Sequence, residues 1–216
     1  PGIYSVTESV PEGWDLTEIS ENCTIAPEMA IADVADATAW FDVEEGEIQI
    51  CTFTNTQRAE LTVRKVVDWA NTPVDAAQVF PVCVSGPSLA DECVELADGE
   101  SHTFSNILPG SYAVTESAPY GYELVSIATS PVQVNPGATV EVVVNNRRIT
   151  STIIVRKVTS PATATQKFTF TGDLAGSIGN GEQISKVVPW GNYSVTEEVP
   201  AGWELTSISA ECVEQQ

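Results

Sequence analysis

The chain has 216 residues, thirty Asp plus Glu against nine Lys plus Arg, and a formal net charge of −21. That balance leaves no basic patch to neutralise phosphates, which excludes nucleic-acid binding, and it is repelled by anionic membranes. An apolar content of 43% is that of a folded protein rather than a disordered one, and the length accommodates one to three domains.

The chain opens on Gly2-Ile-Tyr-Ser-Val-Thr-Glu8, which alternates as a half-buried strand does. Pro11-Glu-Gly13 turns it into a second run, Trp14-Asp-Leu-Thr-Glu-Ile19, followed by Cys23 and by residues 26–39, a helical turn or a loop. Cys51-Thr-Phe-Thr-Asn55 is the next strand, with Cys51, Phe53 and Asn55 on one face. Then comes Leu61-Thr-Val-Arg-Lys-Val-Val67, where Lys65 shares its face with Leu61, Val63 and Val67. Cys83 and Cys93 bracket a short loop or hairpin, and Asp98-Gly99 and Leu108-Pro-Gly110 mark turns. Tyr112-Ala-Val-Thr-Glu116, Val142-Val-Val-Asn145 and Ile153-Ile-Val-Arg-Lys157 follow, and Tyr193-Ser-Val-Thr-Glu197 comes near the end.

Repetition organises these elements. The segment from Gly2 to Trp14 recurs from Gly110 to Tyr122 and from Gly191 to Trp203, each with a glutamate at the same place: Glu8, Glu116 and Glu197. An asparagine strand and a lysine strand lie between the copies, always in that order. The predicted organisation is the back part of one module (1–58), a whole module (59–147) and the front part of a third (148–216). The third is expected to be completed beyond the chain or by another subunit. Seven or so short strands per ninety residues predict an all-β chain of tandem small β-sandwiches. The short linkers, poor in Gly and Ser, predict a semi-rigid rod.

Three polar side chains on apolar strand faces of one small core must meet, because isolated burial is costly. A lysine buried in apolar surroundings is driven toward the neutral amine, which is a nucleophile. Beside an asparagine it can attack the carboxamide carbon. A neighbouring glutamic acid would hydrogen-bond the amide oxygen and shuttle protons as ammonia leaves. Lys65, Asn145 and Glu116 form the predicted set, with Asn146 as an alternative acceptor and Asn145 favoured by the match to Thr54-Asn55. Glu8 with Asn55, and Lys157 with Glu197, are partial sets. The plainer alternative is a buried Lys–Glu ion pair beside a strand-ending asparagine.

The glutamate box, the lysine strand and the asparagine strand together resemble the collagen-adhesin B-type, prealbumin-like repeat domains of bacterial surface proteins and pilins. The resemblance implies non-enzymatic stalk, spacer or pilin modules carrying a self-formed Lys–Asn isopeptide bond, at the cell surface. The expected partners are neighbouring copies of the module, in a homopolymeric filament if copies associate. A ligand-binding adhesin module is the competing function, with residues 24–46 or the Cys83–Cys93 loop as its recognition surface.

Five cysteines suit an oxidising compartment. Pairing of Cys23 with Cys51 and of Cys83 with Cys93 is expected, with Cys212 bonded to a partner past the chain. No zinc spacing, phosphate loop, Ser-His-Asp set or sortase-type Leu-Pro-x-Thr-Gly signal is visible, so no metal, cofactor or turnover is expected. The lone His102 reads as a strand surface residue. No apolar run is long enough to span a bilayer, and any signal or anchor is expected elsewhere in a longer protein.

Overall fold

The computed structural model describes residues 1–20 and 34–209, and every regular element among them is a strand. In the first repeat these are β1 (Gly2–Thr7), β2 (Trp14–Ile19), β3 (Thr38–Val43) and β4 (Phe53–Gln57). The complete repeat has β5 (Ala59–Asp68), β6 (Val79–Gly86), β7 (Leu89–Ala97), β8 (Ser101–Ile107), β9 (Gly110–Glu116), β10 (Tyr122–Ile127), β11 (Val132–Val134) and β12 (Thr139–Arg148). The third has β13 (Thr150–Arg156), β14 (Phe168–Gly172), β15 (Gly176–Ile178), β16 (Gln183–Pro189) and β17 (Val195–Glu198). Among the described residues no helix is long and apolar enough to cross a membrane.

The complete repeat is a sandwich of two four-stranded sheets, ordered β10-β12-β5-β8 and β11-β9-β6-β7. Its core lies between them: Leu61 and Val63 from β5, Val142 and Val144 from β12, and Phe104 from β8 meet Val82, Val84, Tyr112, Val114 and Val134 of the other sheet. Strict alternation in β5 produces this, since Ala59, Leu61, Val63, Lys65 and Val67 are all buried while the residues between them are not. The first and last strands of the repeat, β5 and β12, are hydrogen-bonded neighbours.

Tyr112 is fully buried and donates from its hydroxyl to the Leu108 carbonyl at 2.6 Å. Its ring packs against Gly86, where a Cβ would stand 2.3 Å from the ring, so only glycine fits. Cys83 and Cys93 face each other across β6 and β7 and are bonded, as expected for an oxidising compartment.

By compactness the chain divides into two units. One holds residues 1–67, 75–119 and 124–146; the other holds 68–74, 120–123 and 147–216. Within the first unit, β1 pairs β3 and β2 pairs β4 around Ile19 and Ala39. Residues 34–37 of the segment read as a helical turn or a loop form a turn leading into β3, and residues 26–33 lie outside the described residues. Within the second unit, β13 pairs β16 and β14 pairs both β15 and β17, around Phe168, Phe170 and Ile178.

Candidate functional site: a buried amine, carboxamide and carboxylate

Lys65 is carried by β5 into the core between the sheets, and its side chain is fully buried. The Asp98-Gly99 turn holds the end of its strand. Lys65 N–H donates to the Glu100 carbonyl at 2.8 Å, Gly99 N–H to the Lys65 carbonyl at 3.0 Å, and Val67 N–H to Asp98 Oδ1 at 2.8 Å. Such a turn prefers Asp or Asn followed by Gly, and the third repeat has Asn180-Gly181 there with the same three bonds around Lys157 and Thr159.

Around the amine the geometry is closed. Lys65 Nζ donates to Glu116 Oε2 at 2.7 Å and to Asn146 Oδ1, and it stands 3.4 Å from the Val144 carbonyl. Asn146 Nδ2 donates to Glu116 Oε1, so the carboxylate bridges the lysine nitrogen and the carboxamide nitrogen. Glu116 comes from β9, in the opposite sheet, where it pairs with Val82 of β6. The face of Phe80, two residues earlier on β6, lies 4.4 Å from Nζ and closes the pocket. Burial pushes the Lys65 ammonium below the ordinary lysine range, and the hydrogen bond and charge of Glu116 act against that shift.

Asn145 is not the residue at this site. Its side chain turns to the other face and donates to Ser126 Oγ at 3.0 Å, whereas Asn146 is buried. The cause is strand parity: adjacent residues of β12 point to opposite faces, and Val142, Val144 and Asn146 share the core face. An internal landmark gives the same alignment. Arg58 N–H bonds the Gly13 carbonyl and Ile149 N–H bonds the Gly121 carbonyl, which matches Asn55 to Asn146. The expected role of Glu116 also differs in one detail, since it holds the amide nitrogen rather than the amide oxygen.

The partial sets are assembled as far as their residues allow. Asn55 Nδ2 donates to Glu8 Oε1 at 2.6 Å. Lys157 Nζ donates to Glu197 Oε1 at 2.6 Å, with Phe168 at 4.1 Å from the nitrogen in the role of Phe80. The phenylalanines escaped sequence reasoning because a buried aromatic in a strand looks like core. Their signal is positional, two residues before the partner of the glutamate on β6 and on β14. Cys51 is disulfide-bonded, while Cys23 and Cys212 lie outside the described residues.

The lysine shift has a testable consequence. In Asn146→Ala, where no acceptor remains, the folded chain releases the Lys65 proton at lower pH than the unfolded chain, whose value is near the ordinary 10.5. Between those two values the unfolded state binds more protons, so stability rises with pH; below the folded value this group contributes no slope. Urea midpoints measured from neutral to alkaline pH should show this rise, and Lys65→Met in the same background should remove it.

Residues 56–153 match the family model of the prealbumin-like fold domain. No curated protein matches the sequence. Among solved structures, the chain is similar to the Bacillus anthracis TIE protein at 18% identity, covering 74% of this chain and 33% of that one, with a TM-score of 0.46. Two B repeat units of the collagen-binding protein of Staphylococcus aureus are 13% identical, covering 76% and 57% of the two chains, with a TM-score of 0.36. A streptococcal ancillary pilin is 15% identical, covering 79% and 64%, with a TM-score of 0.33. The chain thus spans about a third of the length of the first of these. Its segment 56–153, which holds Lys65, Glu116 and Asn146, is a prealbumin-like fold domain.

Proposed function

We propose that the chain is a structural stalk or spacer segment of an extracellular surface protein, built of three tandem modules and locked by a self-formed amide bond between Lys65 and Asn146. The observation that carries this reading is a fully buried lysine amine in hydrogen-bond contact with both a carboxamide and a carboxylate. The Lys65 nitrogen attacks Cγ of Asn146; the Nζ–Cγ bond forms, the Cγ–Nδ2 bond breaks and ammonia leaves. Glu116 touches both nitrogens, so it takes the proton from the attacking amine at Oε2 and returns one to the departing amide nitrogen from Oε1. The fold supplies proximity, worth about 7–11 kcal/mol of barrier in well-oriented intramolecular reactions.

The bond joins neighbouring terminal strands, β5 and β12, and its ends are 81 positions apart in sequence. Tension entering at one end of the domain would pass to the other through the bond, leaving the intervening strands unloaded. The cross-strand disulfide and the strongly acidic surface fit an exposed, soluble fibre segment. Pulling single molecules by their ends tests the role. Extension of the wild-type chain should lack the stretch between residues 65 and 146, and Asn146→Ala should regain it. Full extension of the wild-type chain would refute the role.

A further inference from the structure

One charge beside the lysine strand has no part in the proton relay. The turn between β7 and β8 carries Asp98, whose Oδ1 accepts from the Val67 N–H at 2.8 Å, on the strand that bears Lys65. Through Gly99 and Glu100 the same turn also bonds both backbone groups of Lys65 itself. Asp98 is exposed, yet this bond ties its carboxylate to the strand two residues along from the lysine.

Few polar groups face the amine. β9 brings Glu116, and β12 brings the neutral Asn146 and the Val144 carbonyl. β6 brings the uncharged ring of Phe80. The turn adds two carboxylates, Asp98 and Glu100, of which Glu100 accepts from the Ala97 N–H at 2.8 Å. Burial lowers the Lys65 value; the hydrogen bond to Glu116, the charge of Glu116 and then the charge of Asp98 act against it.

The turn does not need that last charge. In the third repeat Thr159 N–H donates to Asn180 Oδ1 at 2.8 Å, the counterpart of the bond from Val67 to Asp98. Glu182 takes the Gly179 N–H there as Glu100 takes that of Ala97. Aspartate and asparagine both suit the position before the turn glycine, and both supply the acceptor oxygen. Only aspartate adds a negative charge near a lysine whose neutral form does the chemistry.

We propose that Asp98 sets the pace of the Lys65–Asn146 bond, acting through the lysine as a brake on its formation at neutral pH. Its charge favours the ammonium over the amine, and only the amine has a lone pair to give to Cγ of Asn146. Joining the two removes the positive charge, so the Asp98 carboxylate stabilises the open state and not the product. This rests on reading Lys65, Asn146 and Glu116 as one reacting set.

Asp98→Asn tests it, a change whose place in this turn Asn180 already fills. The 216-residue chain, isolated unfolded from inclusion bodies before the bond forms, is folded by dilution at a series of pH values, and ammonia loss is followed by mass. Without the charge, the rise of rate with pH should move down by about half a unit and the rate at neutral pH should increase about threefold, the size of a partly screened charge pair. Glu100→Gln removes a carboxylate from the same turn and should leave the profile in place. In the Asn146→Ala background, where no bond forms, Asp98→Asn should likewise lower the pH at which urea midpoints begin to climb. An unchanged profile in Asp98→Asn, or an equal shift in Glu100→Gln, would overturn the proposal while leaving the bond itself in place. A wild-type chain that keeps its ammonia at every pH would remove the reading beneath it as well.

Discussion

Glu116→Ala should cost more stability than any other single change at this site. It removes the carboxylate hydrogen-bonded to a fully buried lysine, and breaking a buried pair from one side typically costs about 3–5 kcal/mol. It also stops amide formation, because among the described residues no other carboxylate touches either nitrogen. Losing a covalent closure of this length costs a further ~4–5 kcal/mol by the chain-entropy model for disulfides, applied here by analogy. The two losses share the same contacts, so they add only in part. Urea unfolding of the variant should show a fall of several kcal/mol. Glu116→Gln separates the causes: it keeps the shape and one of the two accepted hydrogen bonds but relays no proton, so the chain should fold without losing ammonia. Stability of Glu116→Ala within experimental error of wild type would contradict this account.

Phe80→Ala is the second large effect. Phe80 is fully buried, and truncating such a ring costs about 3–5 kcal/mol through lost transfer energy and the cavity left behind. Its influence on the lysine has two opposed parts. The ring face favours the ammonium by up to about 2 kcal/mol. Its bulk keeps water out, and desolvation shifts of buried lysines reach about 3–5 pH units, or roughly 4–7 kcal/mol. Exclusion of water therefore dominates, in line with the lowered value of Lys65. Opening the pocket should return the amine toward its ordinary value, leaving less of it neutral, and slow bond formation at neutral pH. Following ammonia loss after refolding would measure this. Phe80→Leu should recover much of the stability and part of the rate. Bond formation in Phe80→Ala as fast as in wild type would show that the ring acts only as core.

Much of this was legible in the residues because period-two strands leave few choices. Leu61, Val63, Lys65 and Val67 on one face of β5 make the lysine inward from the residues alone, and the repeated Tyr-x-Val-Thr-Glu segment identifies its carboxylate. Asn145 and Asn146 could not be separated that way. They are adjacent, so either fits the spacing, and the choice depends on how far the valine run carries its register. The backbone bond between Ile149 and Gly121 supplies that register, and it joins residues far apart in sequence. Phe80 was hidden for a different reason, since nothing in a strand of Val, Phe and Pro distinguishes a ring over an amine from a ring in a core. The bond from Asn55 to Glu8, which repeats that from Asn146 to Glu116, emerges from comparing the atoms of two repeats, which composition and spacing do not contain.

Intact mass of the chain, under denaturing and reducing conditions, asks most directly whether amine and carboxamide have joined. The account predicts a mass short of the sequence by one ammonia, a branched peptide linking Lys65 to Asn146, and the full sequence mass in Asn146→Ala but not in Asn145→Ala. A wild-type chain at its full sequence mass, with Lys65 open to an amine-reactive reagent once unfolded, would reduce the site to a buried ion pair.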